Sequence, residues 1–233
     1  MKKHLILFLG VILLGGAAFA QQNVVKVGLT PLAFGNVNLN YERALSERMS
    51  LNAKVGFSFP GRAIPFTDAT GTGDISDGSY GAFEITPELR FYGKEKGALR
   101  GFYWGPWLRY RQWGIGGTDV VSTYTTTVDF GLSTFNGGVQ LGAQWLIGDV
   151  FSIDWSFLGV GVGYYNLAFN VTSDDPNVDW NQVRQDIETS YGANINDIPG
   201  LDFNVTDETG EIGFDLPFIL PVFRSSLAIG YAF

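Results

Sequence analysis

The sequence predicts an all-β protein, a transmembrane antiparallel up-and-down β-barrel of eight strands with long extracellular loops. Three observations lead to this fold class. Large apolar residues alternate with polar ones over segments of about nine residues or more, which suits tilted strands that cross a bilayer. The connections between these segments are alternately short and long, as in outer-membrane barrels. The N-terminus also has the features of an export signal.

The N-terminal segment has the three parts of a secretory signal peptide. Lys2 and Lys3 supply the positive start, an apolar run covers residues 5–14, and Ala18-Phe19-Ala20 offers a small-x-small cleavage site. The apolar run is too short to favour the alternative, an N-terminal membrane anchor. We therefore expect residues 1–20 to be a cleaved signal peptide.

Residues 21–233 are then expected to form a single barrel domain, and their composition excludes several classes of function. They keep 13 of the 15 basic residues against 23 acidic ones, a net charge of −10, which repels nucleic acid. The chain has no cysteine, and its single histidine, His4, lies in the signal peptide. Histidine-based nucleophiles and zinc sites made of Cys or His are therefore excluded. We expect no enzymatic activity, no metal and no cofactor.

The strands follow from the alternation and its boundaries. The expected strands, in chain order, are 24–31, 36–45, 50–59, 82–92, 101–114, 133–147, 151–165 and 222–233. The apolar alternation is clearest in the third to sixth and in the last of these segments. A soluble β-sandwich would show the same alternation, with the apolar face as its core.

The lengths of the connections distinguish the membrane barrel from the soluble β-sandwich. Residues 46–49, 93–100 and 148–150 form short hydrophilic connections, whereas residues 60–81, 115–132 and 166–221 form long ones that are rich in Gly, Asp, Ser and Thr. Within the second long connection, the Thr-rich stretch Val121–Val128 is expected to extend a hairpin above the membrane. A sandwich has no reason for this alternation of lengths. In an outer-membrane barrel an even number of strands puts both termini in the periplasm, and the long loops then lie outside the cell.

The polar face of each strand is expected to line the lumen. The charged residues at these positions are Lys26, Glu42, Lys54, Glu84, Glu88, Arg90, Arg109, Arg111, Asp154 and Arg224. Eight strands enclose a space only just wide enough for side chains, so each charge there needs a partner.

Folding each hairpin on itself predicts which charges meet. Glu42 is expected near Lys54, Glu84 near Arg109 and Arg111, and Gln144 opposite Asp154. Such a network has two interpretations. It is either a structural plug of ion pairs or the lining of a narrow passive, porin-like channel for ions or small solutes. A salt-bridge role for Glu84 and Glu88 is favoured over a paired-carboxylate hydrolase site, because arginines flank them.

Several features resemble small outer-membrane β-barrel proteins of the OmpA-barrel and OmpW-like kinds. They are Tyr41-Glu42-Arg43 before a short turn, the glycine-rich strands, and the alternating end Leu227-Ala228-Ile229-Gly230-Tyr231-Ala232-Phe233. The resemblance implies that Tyr231 and Phe233 act as the signal read by the barrel-insertion machinery. OmpA-type barrels often continue into a peptidoglycan-binding domain, and none is expected here.

The expected location is therefore the outer membrane of a Gram-negative bacterium, in contact with lipid and lipopolysaccharide. The last long connection holds ten acidic residues from Asp174 to Glu211 and one basic residue, Arg184. Within it, Asp179 is expected to cap a short helix. The sequence predicts a structural or interaction scaffold that displays acidic loops, either alone or within a larger outer-membrane complex.

Overall fold

A computed structural model describes residues 22–33, 35–58, 80–121, 124–176 and 211–233, with the shorter pieces 62–63, 66–67, 74–75, 79, 179, 182, 185–186, 189 and 202–206. The predicted signal peptide, residues 1–20, lies outside these residues.

Eight antiparallel strands of the described chain form a closed ring. They are β1 (Asn23–Gly28), β2 (Asn36–Ser46), β3 (Met49–Ser58), β4 (Ser79–Tyr92), β5 (Gly101–Val121), β6 (Tyr124–Ile147), β7 (Phe151–Ser173) and β8 (Glu211–Ala232). Each strand pairs with its neighbour in chain order, and β1 pairs with β8 from Val24↔Ala232 to Gly28↔Ala228. This arrangement confirms the prediction of an all-β, up-and-down, eight-stranded ring.

The two ends of the ring differ. One end of the ring, which we call the short-turn end, holds the start of β1, the end of β8 and the turns after β2, β4 and β6. The opposite end, the hairpin end, carries a short helix, α1 (Leu29–Ala33), where the sequence predicted that the first strand would continue to residue 31. Proline has no amide hydrogen for a strand ladder and suits the first turn of a helix, so Pro31 explains why β1 stops at Gly28.

The hairpin expected at Val121–Val128 is longer and covers most of the connection at 115–132. The pairing of β5 with β6 continues without a break from Ile115↔Phe130 to Val121↔Tyr124. The hydroxyls of Thr118 and Thr127 lie 3.4 Å apart across it. Threonine is branched at Cβ and favours extended backbone, so this stretch forms strands without an apolar alternation.

The other two long connections also contain strands. In the first, the pieces Arg62–Ala63, Phe66–Thr67 and Asp74–Ile75 are extended. In the second, β7 continues to Ser173, β8 begins at Glu211, and a strand at Asp202–Thr206 pairs with β8.

The expected helix cap lies in the same connection. The Asp179 carboxylate accepts a hydrogen bond of 3.0 Å from the Gln182 backbone N–H, which is the predicted capping geometry. Most of the remaining acidic segment lies outside the described residues.

The polarity of the ring is the reverse of that of a water-soluble protein. Large apolar side chains such as Phe102, Leu108, Val139 and Phe223 point outward, with exposed fractions of 73%, 50%, 51% and 75%. Among the described residues, eighteen buried side chains are polar or charged and nine are hydrophobic. The inner face is therefore polar and the outer face apolar. No helix in the described part of the chain is long and apolar enough to cross a bilayer.

A small apolar cap closes the lumen at the short-turn end. Val24, Leu99 and Ala232 are almost completely buried and pack together. Leu99 reaches this position from the turn between β4 and β5, with its backbone in the left-handed region at φ 67°. The turn is held by a hydrogen bond of 2.6 Å from the Ala98 N–H to the Glu47 carbonyl.

Candidate functional site

The interior of the ring is the most highly charged part of the described chain. Period-2 alternation turns every second residue of a strand inward, and this places all ten charged residues singled out by the sequence on the inner face. Seven are buried and three are half-buried. The buried ones are Lys26, Glu42, Lys54, Glu84, Glu88, Arg90 and Asp154, and the half-buried ones are Arg109, Arg111 and Arg224.

Four of these residues form a central cluster, consisting of Lys26, Glu42, Arg90 and Asp154. The Arg90 Nη1 lies 3.0 Å from Glu42 Oε2 and 2.7 Å from Asp154 Oδ2. The Lys26 ammonium also binds both carboxylates, with 2.5 Å to Asp154. Two cations therefore alternate with two anions, and the cluster is neutral. All four side chains are between 0% and 5% exposed, so the central cluster is packed inside the ring.

Two tyrosines complete the hydrogen bonding of the central cluster. The Tyr92 hydroxyl donates to Glu42 at 2.6 Å, and the Tyr103 hydroxyl donates to Asp154 at 2.9 Å. The Arg90 guanidinium also lies over the Tyr103 ring, 4.3 Å from its centroid. Sequence reasoning missed both tyrosines because it considered only charged residues as members of the lumen network. Each lies an even number of residues from an inward arginine of its own strand, Tyr92 from Arg90 and Tyr103 from Arg109, and this spacing indicates the inner face.

A second group, the Glu88 cluster, lies next to the central one and consists of Glu88, Lys54 and Arg224. The Glu88 carboxylate binds the Lys54 ammonium at 2.8 Å and also the Arg224 guanidinium. It reaches the central cluster through Arg90 Nη2, at 2.7 Å. Asn52 and Gln140 each donate a further hydrogen bond to it, both of 3.0 Å. One carboxylate is therefore shared by three cations.

Gly159 gives Arg224 the space to reach Glu88. A β-bulge in β7 lies between Ser156 and Gly159, and beyond it the glycine faces inward. A Cβ atom at position 159 would lie only 2.3 Å from the Arg224 Cγ. The arginine side chain thus lies directly over Gly159, a close approach that a glycine in a strand permits.

Gly159→Ala is therefore expected to destabilise the fold by about 1–3 kcal/mol, the usual cost of overpacking. The matched control is Gly81→Ala, because a Cβ at position 81 has no atom within 4 Å. Urea unfolding of the folded protein in lipid vesicles, followed by tryptophan fluorescence, measures both variants. Equal midpoints for the two variants would show that the contact between Gly159 and Arg224 has no energetic role.

The third group lies at the hairpin end of the lumen and consists of Glu84, Arg109 and Arg111. Glu84 and Arg111 face each other in register on β4 and β5 and form an ion pair. Arg109 makes no ion pair with any described residue, and its guanidinium lies 5.6 Å from the centroid of the Trp107 ring. All three residues line a cavity of about 330 Å³.

The pairings predicted from hairpin folding are partly corrected. Gln144 and Asp154 face each other as predicted, and Glu84 meets Arg111 but does not pair with Arg109. Lys54 faces Asn40 on β2, and the residue opposite Glu42 is Asn52. Lys54 instead binds Glu88 on the next strand, β4, and Glu42 binds Lys26 on β1 and Arg90 on β4.

The two residues expected to form the insertion signal lie on the outer face. Tyr231 and Phe233 are 59% and 50% exposed, and their rings stack with centroids 6.4 Å apart. The backbone of Phe233 exchanges hydrogen bonds with that of Asn23, at 3.1 and 2.9 Å, so the C-terminal residue is anchored beside the start of β1. Their role in insertion remains a prediction.

The chemistry available in the lumen is that of ion pairs and hydrogen bonds. In the described part of the chain, no three His, Cys, Asp or Glu side chains converge in a way that could hold a metal ion. The carboxylates Glu42, Glu88 and Asp154 are each held by at least two cations, which keeps them as acceptors of hydrogen bonds.

Comparison with known proteins gives one finding. A family model with the description "Protein of unknown function (DUF3575)" matches residues 4–179, well over half of the chain. No curated protein and no solved structure matches the chain.

Proposed function

The chain belongs to the family described as protein of unknown function (DUF3575), and we propose that it is an outer-membrane β-barrel protein that acts as a structural or interaction scaffold. In this proposal the barrel spans the outer membrane of a Gram-negative bacterium. Its lumen is closed, and its hairpin end presents the acidic segment between β7 and β8 outside the cell. Its neighbours are outer-membrane lipid and lipopolysaccharide, either alone or within a larger complex.

The observation that carries the proposal is the reversed polarity of the ring. A water-soluble barrel would expose many apolar side chains to water at a cost of about 25 cal/mol for each Å² of apolar surface. In a bilayer the same surface meets lipid tails, and a closed ring with no free edge pairs its backbone groups between neighbouring strands. The closed ring and the apolar outer face together support insertion in a membrane.

Two features of the lumen favour a scaffold over a channel. The central cluster fills the middle of the ring with side chains that have almost no exposed surface. The apolar cap of Val24, Leu99 and Ala232 closes the short-turn end as well. An ion crossing the lumen would have to separate several buried ion pairs and pass an apolar layer, and both steps are costly in a medium of low dielectric constant.

The proposal predicts that the protein conducts no ions across a bilayer. Residues 21–233, refolded and inserted in a planar bilayer, are expected to give no steady single-channel conductance, because both closures are part of the folded structure. Insertion is verified separately, by protection of the strands from protease in vesicles of the same lipid. Steady small openings that change when Arg109 or Arg111 is replaced would instead establish the narrow passive channel.

A further inference from the structure

The cavity at the hairpin end of the lumen is lined by an unusual excess of cations. Lys54, Arg109, Arg111 and Arg224 line it, and Glu84 is the one carboxylate among the lining residues that the structure describes. Its volume of about 330 Å³ is that of roughly ten water molecules. The cavity therefore has both the charge and the room to hold a small anion.

Two of these arginines have donors that no group of the described chain satisfies. Arg224 Nη1 is buried without a hydrogen-bond partner, and the whole Arg224 side chain is only 7% exposed. Arg109 Nε is likewise buried without a partner. Both guanidinium groups lie over the ring of Trp107, at 4.9 Å and 5.6 Å from its centroid, and both residues line the same cavity. Buried charged donors without acceptors are costly, and a bound anion would satisfy them.

The net charge of the lumen residues indicates the charge of the anion that the cavity would hold. The ten charged residues of the lumen are six basic and four acidic ones. The central cluster is neutral, so the surplus of two positive charges belongs to the Glu88 cluster and to the group of Glu84, Arg109 and Arg111. An anion with one charge would leave a buried positive charge, whereas a dianion balances the lumen completely.

We propose that this cavity binds a small solute that carries a phosphate dianion, held by Arg109 and Arg224. A phosphate group has a charge of about −1.5 to −2 at neutral pH and three strong acceptor oxygens. The planar donors of arginine match these oxygens in pairs. The site lies inside the ring, so its occupant enters through the hairpin end. The proposal goes beyond the scaffold function and is independent of whether the lumen conducts.

Isothermal titration calorimetry tests the site on residues 21–233 folded in a non-ionic detergent at constant ionic strength. The probes are inorganic phosphate, acetate as a monovalent oxyanion, and a short-chain phosphatidic acid as a lipid that carries the same group. We expect inorganic phosphate to bind more tightly than acetate. Arg109→Gln is expected to weaken phosphate binding at least about tenfold, the equivalent of one charge-assisted hydrogen bond.

The variants keep the test interpretable. Arg109 has no ion pair in the described chain, so its replacement leaves the plug intact, whereas Arg224→Gln also removes a partner of Glu88. The matched control is Arg100→Gln, which breaks an exposed ion pair with Asp149 at the short-turn end and is expected to leave phosphate affinity within about twofold of the parent.

Three outcomes would overturn the proposal. Equal phosphate affinity in Arg109→Gln and the parent would exclude the site. Acetate binding as tight as that of phosphate would exclude the charge argument. Binding of phosphatidic acid without binding of inorganic phosphate would show that the phosphate comes from a lipid headgroup and not from a small solute.

Discussion

Arg90→Leu is expected to lower the free energy of unfolding by about 3–5 kcal/mol, the range found when one partner of a buried ion pair is removed. Arg90 is fully buried and contacts three carboxylates, those of Glu42, Glu88 and Asp154. Without it, Glu42 and Asp154 share the single ammonium of Lys26, and the central cluster acquires a net negative charge. Urea unfolding in lipid vesicles, followed by tryptophan fluorescence, measures the loss.

Two further variants show whether charge balance is the cause. Arg100→Leu removes an arginine whose ion pair is largely exposed, and we expect a loss of no more than about 1 kcal/mol. Combining Arg90→Leu with Glu42→Gln removes one charge of each sign from the central cluster. We expect this double variant to lose less stability than the sum of the two single losses. Strictly additive losses would mean that the two groups act independently and that the plug is not one electrostatic unit.

The second large effect concerns the outer face. Leu108→Arg is expected to destabilise the protein in vesicles by about 2–4 kcal/mol, the cost of an arginine on the lipid face of a barrel near the bilayer midplane. Leu108 is 50% exposed and lies near the middle of the part of β5 that belongs to the ring. If water surrounded this face, the exposed arginine would change the stability by no more than about 0.5 kcal/mol.

Asn170→Arg is the matched control for this experiment. Asn170 is exposed and points outward by the alternation of β7, but it lies in the part of β7 that extends beyond the ring, opposite Asp129 of β6. In the proposed orientation it lies above the hydrocarbon, where an arginine costs about 0–1 kcal/mol. Similar losses for Leu108→Arg and Asn170→Arg would contradict membrane insertion of the ring.

The sequence was most informative about which face each residue occupies. A period of two is a local property, so the inward positions of Lys26, Arg90 and Asp154 follow from their own strands. The number of alternating segments likewise predicts the number of strands in the ring. The hairpin at 115–132 was expected only over Val121–Val128, because the other residues of this connection lack an apolar alternation, although they pair once β5 and β6 are aligned.

The partners inside the lumen were harder to predict. Hairpin folding informs only on neighbouring strands, whereas the Glu88 carboxylate of β4 binds Arg224 of β8 across the interior. The choice of partner there depends on side-chain length and on the bulge in β7, neither of which is visible as a pattern. Tyr92 and Tyr103 were missed for another reason, since only their hydroxyls belong to the polar network.

The sequence separation of the ion-paired residues in the lumen also affects the order in which the barrel assembles. Lys26 and Asp154 are 128 positions apart, and Glu88 and Arg224 are 136 apart. No single hairpin contains either pair, so we expect both to form only when β1 meets β8. The inward charges of an unfinished barrel therefore remain hydrated, and this water leaves the lumen at the last step. Contacts that form so late contribute mainly to the barrier against unfolding. The ion pairs of the lumen therefore lengthen the lifetime of the folded protein.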